Sequence, residues 1–368
     1  MHIVHGLLLY IYAMQPVVLS NQPFFVCGQN LQQQLFDFLK SCAAHRLLVV
    51  VDSKTARFLN DYKSVFEQFD KDFLSIEIPA GEEHKNLESA ARIWNELITQ
   101  QFGKDTLLIA LGGGMICDLT GFAASIYMRG IPFVFFPTSV LSMADASAGG
   151  KTGINLGDFK NIVGTFTEAK AVFMDFNFLN ELPEHERRSG IAEILKHYLL
   201  LGKDPRQLTQ KCLTDSVHEH IMETVVHKLT IVRQDFKEQN LREVLNLGHT
   251  VAHAIETLFL KQEKPLLHGY AVAAGLCIES FLAESFFSEG FDYQYHESLR
   301  QEVFTEFPRV KLNNQDLDLL IAFMRNDKKN RISSPSFSLL KGPANWQLQC
   351  RPSEELIRGA LINYLNHA

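Results

Sequence analysis

Hydrophobic and polar positions follow two different rhythms along this chain. In the first half, short apolar runs rich in β-branched and aromatic residues alternate with longer amphipathic stretches. Residues 46–51, 73–79, 106–111, 132–136 and 171–175 are such runs, and each reads as a buried strand. Between them, 55–69, 86–102 and 116–127 repeat their apolar residues at helical spacing. Strands alternating with helices predict a mostly parallel sheet covered on both faces. After Pro183 the rhythm turns helical. Residues 184–202, 216–237, 241–260, 269–288, 294–306 and 314–325 read as helices, with few strand-like runs before 336–340. The change places a boundary near 176–183, with an N-terminal α/β domain over 1–178 and a C-terminal helical domain over 179–368.

Composition narrows the class. The 368 residues are 46% hydrophobic and 21% charged, enough for two domains with their own cores. A net charge of −7 without a dense basic run argues against nucleic acid as a partner, while leaving room for a basic pocket that takes a small anion. Six scattered cysteines with no CxxC fit a reducing, cytoplasmic setting. Residues 6–14 are apolar, but the run is too short to span a bilayer and has no basic flank. It reads as a leader from an upstream start, with Met14 as the alternative, or as a first strand; no membrane partner is expected.

The densest chemistry lies at 246–256, Asn-Leu-Gly-His-Thr-Val-Ala-His-Ala-Ile-Glu. In a helix His249 and His253 share a face, and His268 opens the next helical run. Imidazole is the commonest ligand for zinc-like ions, and a catalytic site needs about three protein ligands. Glu193 and Lys196, three apart in an apolar helix, are either a surface salt bridge or the source of a carboxylate ligand. Two sets are therefore open: Glu193, His249 and His268, matching a His₂Glu zinc type, or a set using both His249 and His253.

Other motifs suggest anions. Gly112-Gly113-Gly114 follows a strand and opens a helix, where a backbone can approach a pyrophosphate; a tight turn without ligand is the plainer reading. Asp118 reaches a cofactor there or simply solvates the helix. Glu82 and Lys85 lie in a loop after the second strand. Gly149-Gly150-Lys151-Thr152 looks like the end of a P-loop, but Asp145 stands where that motif needs glycine, so ATP is excluded. Lys151, Lys160 and Asn161 still suggest anion contacts.

Taken together, Leu111–Asp118, Tyr127–Gly130, Phe136–Gly164, Leu182–Leu200, Leu241–Glu256 and Leu267–Gly275 resemble 3-dehydroquinate synthases, in the family's order, and Asp327–Asn330 resembles their phosphate-binding segment. The resemblance spans about residues 80–340. It implies a Rossmann-like NAD-binding α/β domain, an all-α metal-binding domain with the active site between them, and a homodimer. It further implies conversion of 3-deoxy-D-arabino-heptulosonate 7-phosphate, an anionic sugar phosphate, to 3-dehydroquinate and phosphate. NAD oxidises a ring alcohol, phosphate leaves by β-elimination, the hydride returns, and an aldol step closes the carbocycle; zinc or cobalt assists.

By matching motif, Glu193, His249 and His268 become metal ligands and His253 a substrate-contacting or proton-relaying group. Lys151, Lys160, Asn161, Lys196, Lys228, Arg242 and Asn246 would surround substrate, Lys328 or Lys329 would reach its phosphate, and Arg129 would reach across from a partner subunit. Glu238 would orient a cation. The implied NAD set is Asp52, Glu82, Lys85, Gly113, Gly114, Asp118, Thr138, Ser139, Asp145, Lys151, Lys160 and Glu181. Departures are Ser139 for a usual threonine, Leu156-Gly157-Asp158 for a His-Pro turn, and Thr165–Glu168 for an aromatic-Gln-Pro-like stretch. Rival expectations are an inosose- or valiolone-type cyclase, a metal-dependent polyol dehydrogenase, and an inactive NAD-binding regulator.

Overall fold

A computed structural model describes residues 16–21, 24–157, 159–214, 217–325 and 334–367. The apolar run at 6–14, Asp158 and the Asp327–Asn330 segment with Lys328 and Lys329 lie outside the described residues. The chain divides into two compact units, residues 1–182 with 221–226, and residues 183–220 with 227–368.

The first unit is built on β1 (Val17–Asn21), β2 (Phe24–Gly28), α1 (Gln32–Ser41), β3 (Arg46–Asp52), α2 (Leu59–Phe69), β4 (Leu74–Ile78), α3 (Leu87–Thr99), β5 (Thr106–Gly112), α4 (Gly114–Ile126), β6 (Phe133–Pro137), β7 (Lys151–Leu156), β8 (Phe159–Phe166) and β9 (Ala171–Asp175). Seven strands form one sheet in the order β1-β2-β9-β6-β5-β3-β4. All neighbours are parallel except β1 and β2. The five strands read from apolar runs are all present. Every residue of β5 and β9 is buried, which is why those runs lack alternation.

The β7–β8 hairpin is a separate two-stranded sheet that the pattern did not predict. Nearly all of β8 is exposed on both faces, so no period-2 signal marks it. It carries the exposed apolar residues Leu156, Phe159, Ile162, Val163 and Phe166.

The second unit holds α5 (Glu184–Leu200), α6 (Leu208–Thr214), most of α7 (Val217–Gln234), α8 (His249–Lys261), α9 (His268–Phe286), α10 (Tyr293–Glu306), α11 (Leu317–Arg325), the hairpin β10 (Phe337–Gly342) and β11 (Asn345–Cys350), and α12 (Glu354–His367). The α9 helix is central: residues 271–283 are buried on every side, and it packs on α5, α8, α10 and α12. Each fully buried Leu, Ile, Val or Phe side chain there contributes about 1.5–3 kcal/mol.

The expected continuous helix over 241–260 is broken. Leu241–Asn246 is a short 3₁₀ turn, and Gly248 adopts a left-handed conformation (φ 80°) before α8 starts at His249. Glycine takes that conformation at little cost, and its N–H donates to the buried Glu279 carboxylate at 2.7 Å. Arg242 and Asn246 therefore do not lie on earlier turns of the histidine-bearing helix. All six cysteines are free, and no helix among the described residues is long and apolar enough to cross a membrane.

Candidate metal centre

Three helices of the second unit each deliver one donor. Glu193 lies mid-way along α5, where residues 189–197 are all buried, and its side chain is fully enclosed. His249 is the first residue of α8 and His268 the first of α9. Their Nε2 atoms lie 3.2 Å and 3.4 Å from Glu193 Oε1. One ligand atom from each residue falls within 4.8 Å of the others.

The start of α9 reaches α5 because residue 269 is glycine. A Cβ there would overlap the Ser189 carbonyl oxygen and lie 2.8 Å from Ser189 Cα. Instead the Gly269 N–H donates to Ser189 Oγ at 3.1 Å.

The back of each imidazole is also held. His249 Nδ1 is 3.1 Å from the Leu247 carbonyl oxygen, and His268 Nδ1 is 3.3 Å from Glu256 Oε1. An acceptor at Nδ1 places the proton there and turns the Nε2 lone pair toward the opposite side. Burial pushes His249 down to about 4, only partly opposed by Glu193, so it is neutral and ready to ligate at neutral pH. Burial works the same way on His268, but Glu256 and Glu193 outweigh it and push it up to about 10.

Glu193 and Lys196 are not a surface pair. Lys196 Nζ is 2.5 Å from Glu193 Oε2, with the two side chains 2% and 0% exposed. Burial opposes charge on Glu193, yet Lys196 and His249 hold its carboxyl well below the usual carboxylate range. Desolvating two charges largely offsets their attraction, so such a pair adds little net stability. Both Glu193 oxygens are enclosed without a hydrogen bond of good geometry, despite the nearby nitrogens. An enclosed carboxylate facing two imidazole nitrogens fits a divalent cation with one oxygen and two nitrogen ligands.

His253 is outside this donor set. Its ring stands edge-on to His249, centroids 5.5 Å apart. Elsewhere in the second unit, Lys228 and Arg242 are buried. The Arg242 guanidinium donates to the Phe236 carbonyl at 2.6 Å, and Asn246 Nδ2 donates to Glu238 Oε1 at 2.7 Å.

In the first unit, the buried Lys85 gathers several predicted residues. Its Nζ lies 2.5 Å from both Asp118 Oδ2 and Asn161 Oδ1, and 4.0 Å from Glu82 Oε1. Burial pushes the Asp118 carboxyl up, with Lys85 opposing. Asn155, absent from the predicted set, ties the same cluster together: its Oδ1 accepts from Asn161 N at 2.8 Å and its Nδ2 donates to Glu82 Oε1 at 3.0 Å.

The turn at Gly113 opens α4 without a side-chain cap, and a Cβ at Gly113 would meet nothing within 4 Å. An uncapped helix start with open space above it fits a cofactor pyrophosphate. Thr138 N donates to the Gly112 carbonyl at 3.0 Å, and Ser139 Oγ bonds Ser142 Oγ at 2.9 Å. Asp145 lies in a π-helical turn, Ser142–Ala146, leading to the exposed Lys151 and half-buried Lys160. Asp52 Oδ1 closes a turn onto Lys54 N and Thr55 N at 2.8 and 3.0 Å. Glu181 pairs with Arg57 at 2.6 Å, and Arg129 is exposed with a positive φ.

Sequence reasoning missed Glu256 and Glu279 as supports of the centre. Glu256 was findable, since it sits three residues after His253 and seven after His249, on one helical face.

Two family models match the chain: 3-dehydroquinate synthase N-terminal over residues 75–189 and 3-dehydroquinate synthase C-terminal over 190–330. A curated 3-dehydroquinate synthase of Legionella pneumophila subsp. pneumophila is 36% identical over 366 residues, 96% of this chain and 97% of the relative. Among solved structures, a 2-deoxy-scyllo-inosose synthase complexed with carbaglucose-6-phosphate, NAD+ and Co2+ superposes with TM-score 0.80, at 20% identity over 95% of this chain and 99% of that one. The 2-epi-5-epi-valiolone synthase of Streptomyces hygroscopicus subsp. jinggangensis, with NAD+ and Zn2+ bound, gives 0.78 at 23% identity, over 94% and 97%. At those identities the two structures speak for the fold alone.

Proposed function

This chain belongs to the 3-dehydroquinate synthase family, and we propose that Glu193, His249 and His268 hold the divalent metal with which it works. The enzyme is a lyase that converts 3-deoxy-D-arabino-heptulosonate 7-phosphate into 3-dehydroquinate and phosphate. The convergence of those three donors within 4.8 Å, in a chain of this family, carries the metal assignment. Bound NAD and zinc or cobalt supply the hydride acceptor and the Lewis acid of this chemistry.

The chain's own residues do the rest. Lys196 holds a positive charge against Glu193 and offers it to an anionic substrate group. Arg242, fixed by the Phe236 carbonyl, and Asn246, fixed by Glu238, are assigned to substrate with Lys228. His253, one turn along α8 from His249, holds or moves a substrate proton on its imidazole. Lys151, Lys160 and Asn161 of the first unit serve the substrate's anionic groups, and Lys328 or Lys329 its phosphate. In the first unit, the Gly113 turn takes the NAD pyrophosphate, with Glu82, Lys85 and Asp118 in one linked cluster beside Asn161. Asp52, Gly114, Thr138, Ser139, Asp145 and Glu181 complete the NAD assignment by motif.

The exposed apolar residues of the β7–β8 hairpin suit burial against a second copy, which supports a homodimer to which Arg129 contributes. The six scattered free cysteines suit the cytoplasm. Phosphate release tests the reaction. The expected result is that the purified protein releases phosphate from the heptulosonate phosphate without net NADH formation, and releases none from glucose 6-phosphate or sedoheptulose 7-phosphate. NADH accumulating from a polyol, with no phosphate released, would overturn it.

A further inference from the structure

We propose that Glu256 is a positioning residue for the metal. Its carboxylate sets the tautomer and ring orientation of His268, so that Nε2 faces Glu193. The inference rests on the metal-ligand reading above.

Three observations carry it. First, Glu256 lies on the α8 face that also presents His249 and His253, and its side chain is 2% exposed. Enclosing a carboxylate is costly unless a donor or cation meets it. Second, its Oε1 atom is 3.3 Å from His268 Nδ1, on the side of the ring opposite Nε2. His268 Nε2 in turn lies 3.4 Å from Glu193 Oε1. A carboxylate, an imidazole and a ligand position thus follow in series, the arrangement that orients ligating histidines. Third, the two imidazoles are supported differently. His249 Nδ1 meets a backbone carbonyl, that of Leu247, which no substitution removes. His268 depends on a side chain, so its orientation is the one that mutation can release.

A carboxylate at Nδ1 does two things. Once a metal replaces the Nε2 proton, it keeps the remaining proton on Nδ1, and it raises the donor strength of the ring. Glutamine preserves the shape and one acceptor oxygen but removes the charge. Leucine removes both. The two substitutions should therefore form a graded series in metal affinity, which a purely packing role for Glu256 would not produce.

The test uses the full-length protein, stripped with a chelator and reloaded with Co²⁺. Affinity is read by competition with a chromophoric chelator, and ligand geometry from the visible Co²⁺ spectrum. Thermal unfolding of the metal-free forms reports packing separately. Wild type is compared with E256Q, E256L and H268A. Expected losses of Co²⁺ affinity are roughly 10-fold for E256Q and about 100-fold for E256L. Both have an altered Co²⁺ spectrum, and metal-free E256Q unfolds at the wild-type temperature. Should E256L not fold, E256Q decides.

Wild-type affinity and spectrum in E256Q would overturn the role of Glu256. If H268A loses the metal in that experiment, the ligand reading still stands. If H268A also binds Co²⁺ as wild type does, the ligand reading falls, and the positioning role falls with it.

Discussion

Gly269→Ala is the sharpest test of how the centre is assembled, because the added methyl touches no ligand. A Cβ at 269 overlaps the Ser189 carbonyl oxygen and lies 2.5 Å from its carbon. Parting that carbon pair to the 3.4 Å where ordinary contact begins needs about 0.9 Å, against a tolerance of about 0.2 Å in metal–ligand distances. The obstacle is backbone, so it cannot rotate away, and the first turn of α9 must move. His268 moves with it, away from Glu193. The hydrogen bond from Gly269 N to Ser189 Oγ is stretched by the same shift.

Alanine would ordinarily stabilise a helix by up to about 1 kcal/mol over glycine. Overpacking costs about 1–3 kcal/mol, so the variant should be destabilised on balance. Co²⁺ titration and urea unfolding read the two effects. We expect metal affinity to fall at least roughly 10-fold, as for other disturbances around a ligand, with the fold retained. Gly359→Ala in α12 is the control, since a Cβ there meets nothing within 4 Å. It should leave metal binding unchanged and stability equal or higher. Wild-type metal affinity and stability in Gly269→Ala would refute the close-approach argument.

Two further outcomes follow from the same structure. His268→Ala should lose bound zinc, measured by elemental analysis after gel filtration, whereas His253→Ala should keep zinc and lose rate; the reverse result would restore the His249–His253 ligand pair. His296 provides a pH signature away from the metal. It is buried, its Nδ1 lies 2.9 Å from Ser280 Oγ, and burial, reinforced by Arg300, pushes it down to about 4 from 6.5. Because the folded value is the lower one, the stabilisation is complete above pH 6.5 and is lost as pH falls toward 4. The loss should reach roughly 3 kcal/mol. His296→Gln should flatten that part of the urea-derived stability profile, and an unchanged slope would contradict the assignment.

Much of this protein was legible in order of residues alone. Four of the five strands read in the first unit, β3, β5, β6 and β9, were found as continuous apolar runs that are buried, whereas β4 alternates and is buried only at Ile78. Of the helices packed on α9, α5, α8 and α10 fall on the predicted helical stretches, whereas α12 (Glu354–His367) was not predicted. The donor types were also readable, since carboxylate and imidazole chemistry belongs to the side chains themselves. The β7–β8 hairpin was not readable, because β8 is exposed on both faces and carries no alternation. Nor was the break at Leu247-Gly248 within an apparently continuous helical pattern. One left-handed glycine, anchored to Glu279 on α9, starts α8 at His249.

What the sequence determined is therefore the inventory: two architectures in series, and a histidine pair, a third histidine and a buried-helix glutamate as candidate donors. It left both ligand sets open on spacing, because helical spacing says only that His249 and His253 share a face. The tertiary structure brings the donors of one set, Glu193, His249 and His268, together. Packing α9 against α5 at Gly269 brings His268 Nε2 to 3.4 Å from Glu193. His253, though nearer to His249 in the chain, stays outside the donor set. Periodicity is a property of one element, whereas convergence of donors from three helices depends on how closely their backbones approach.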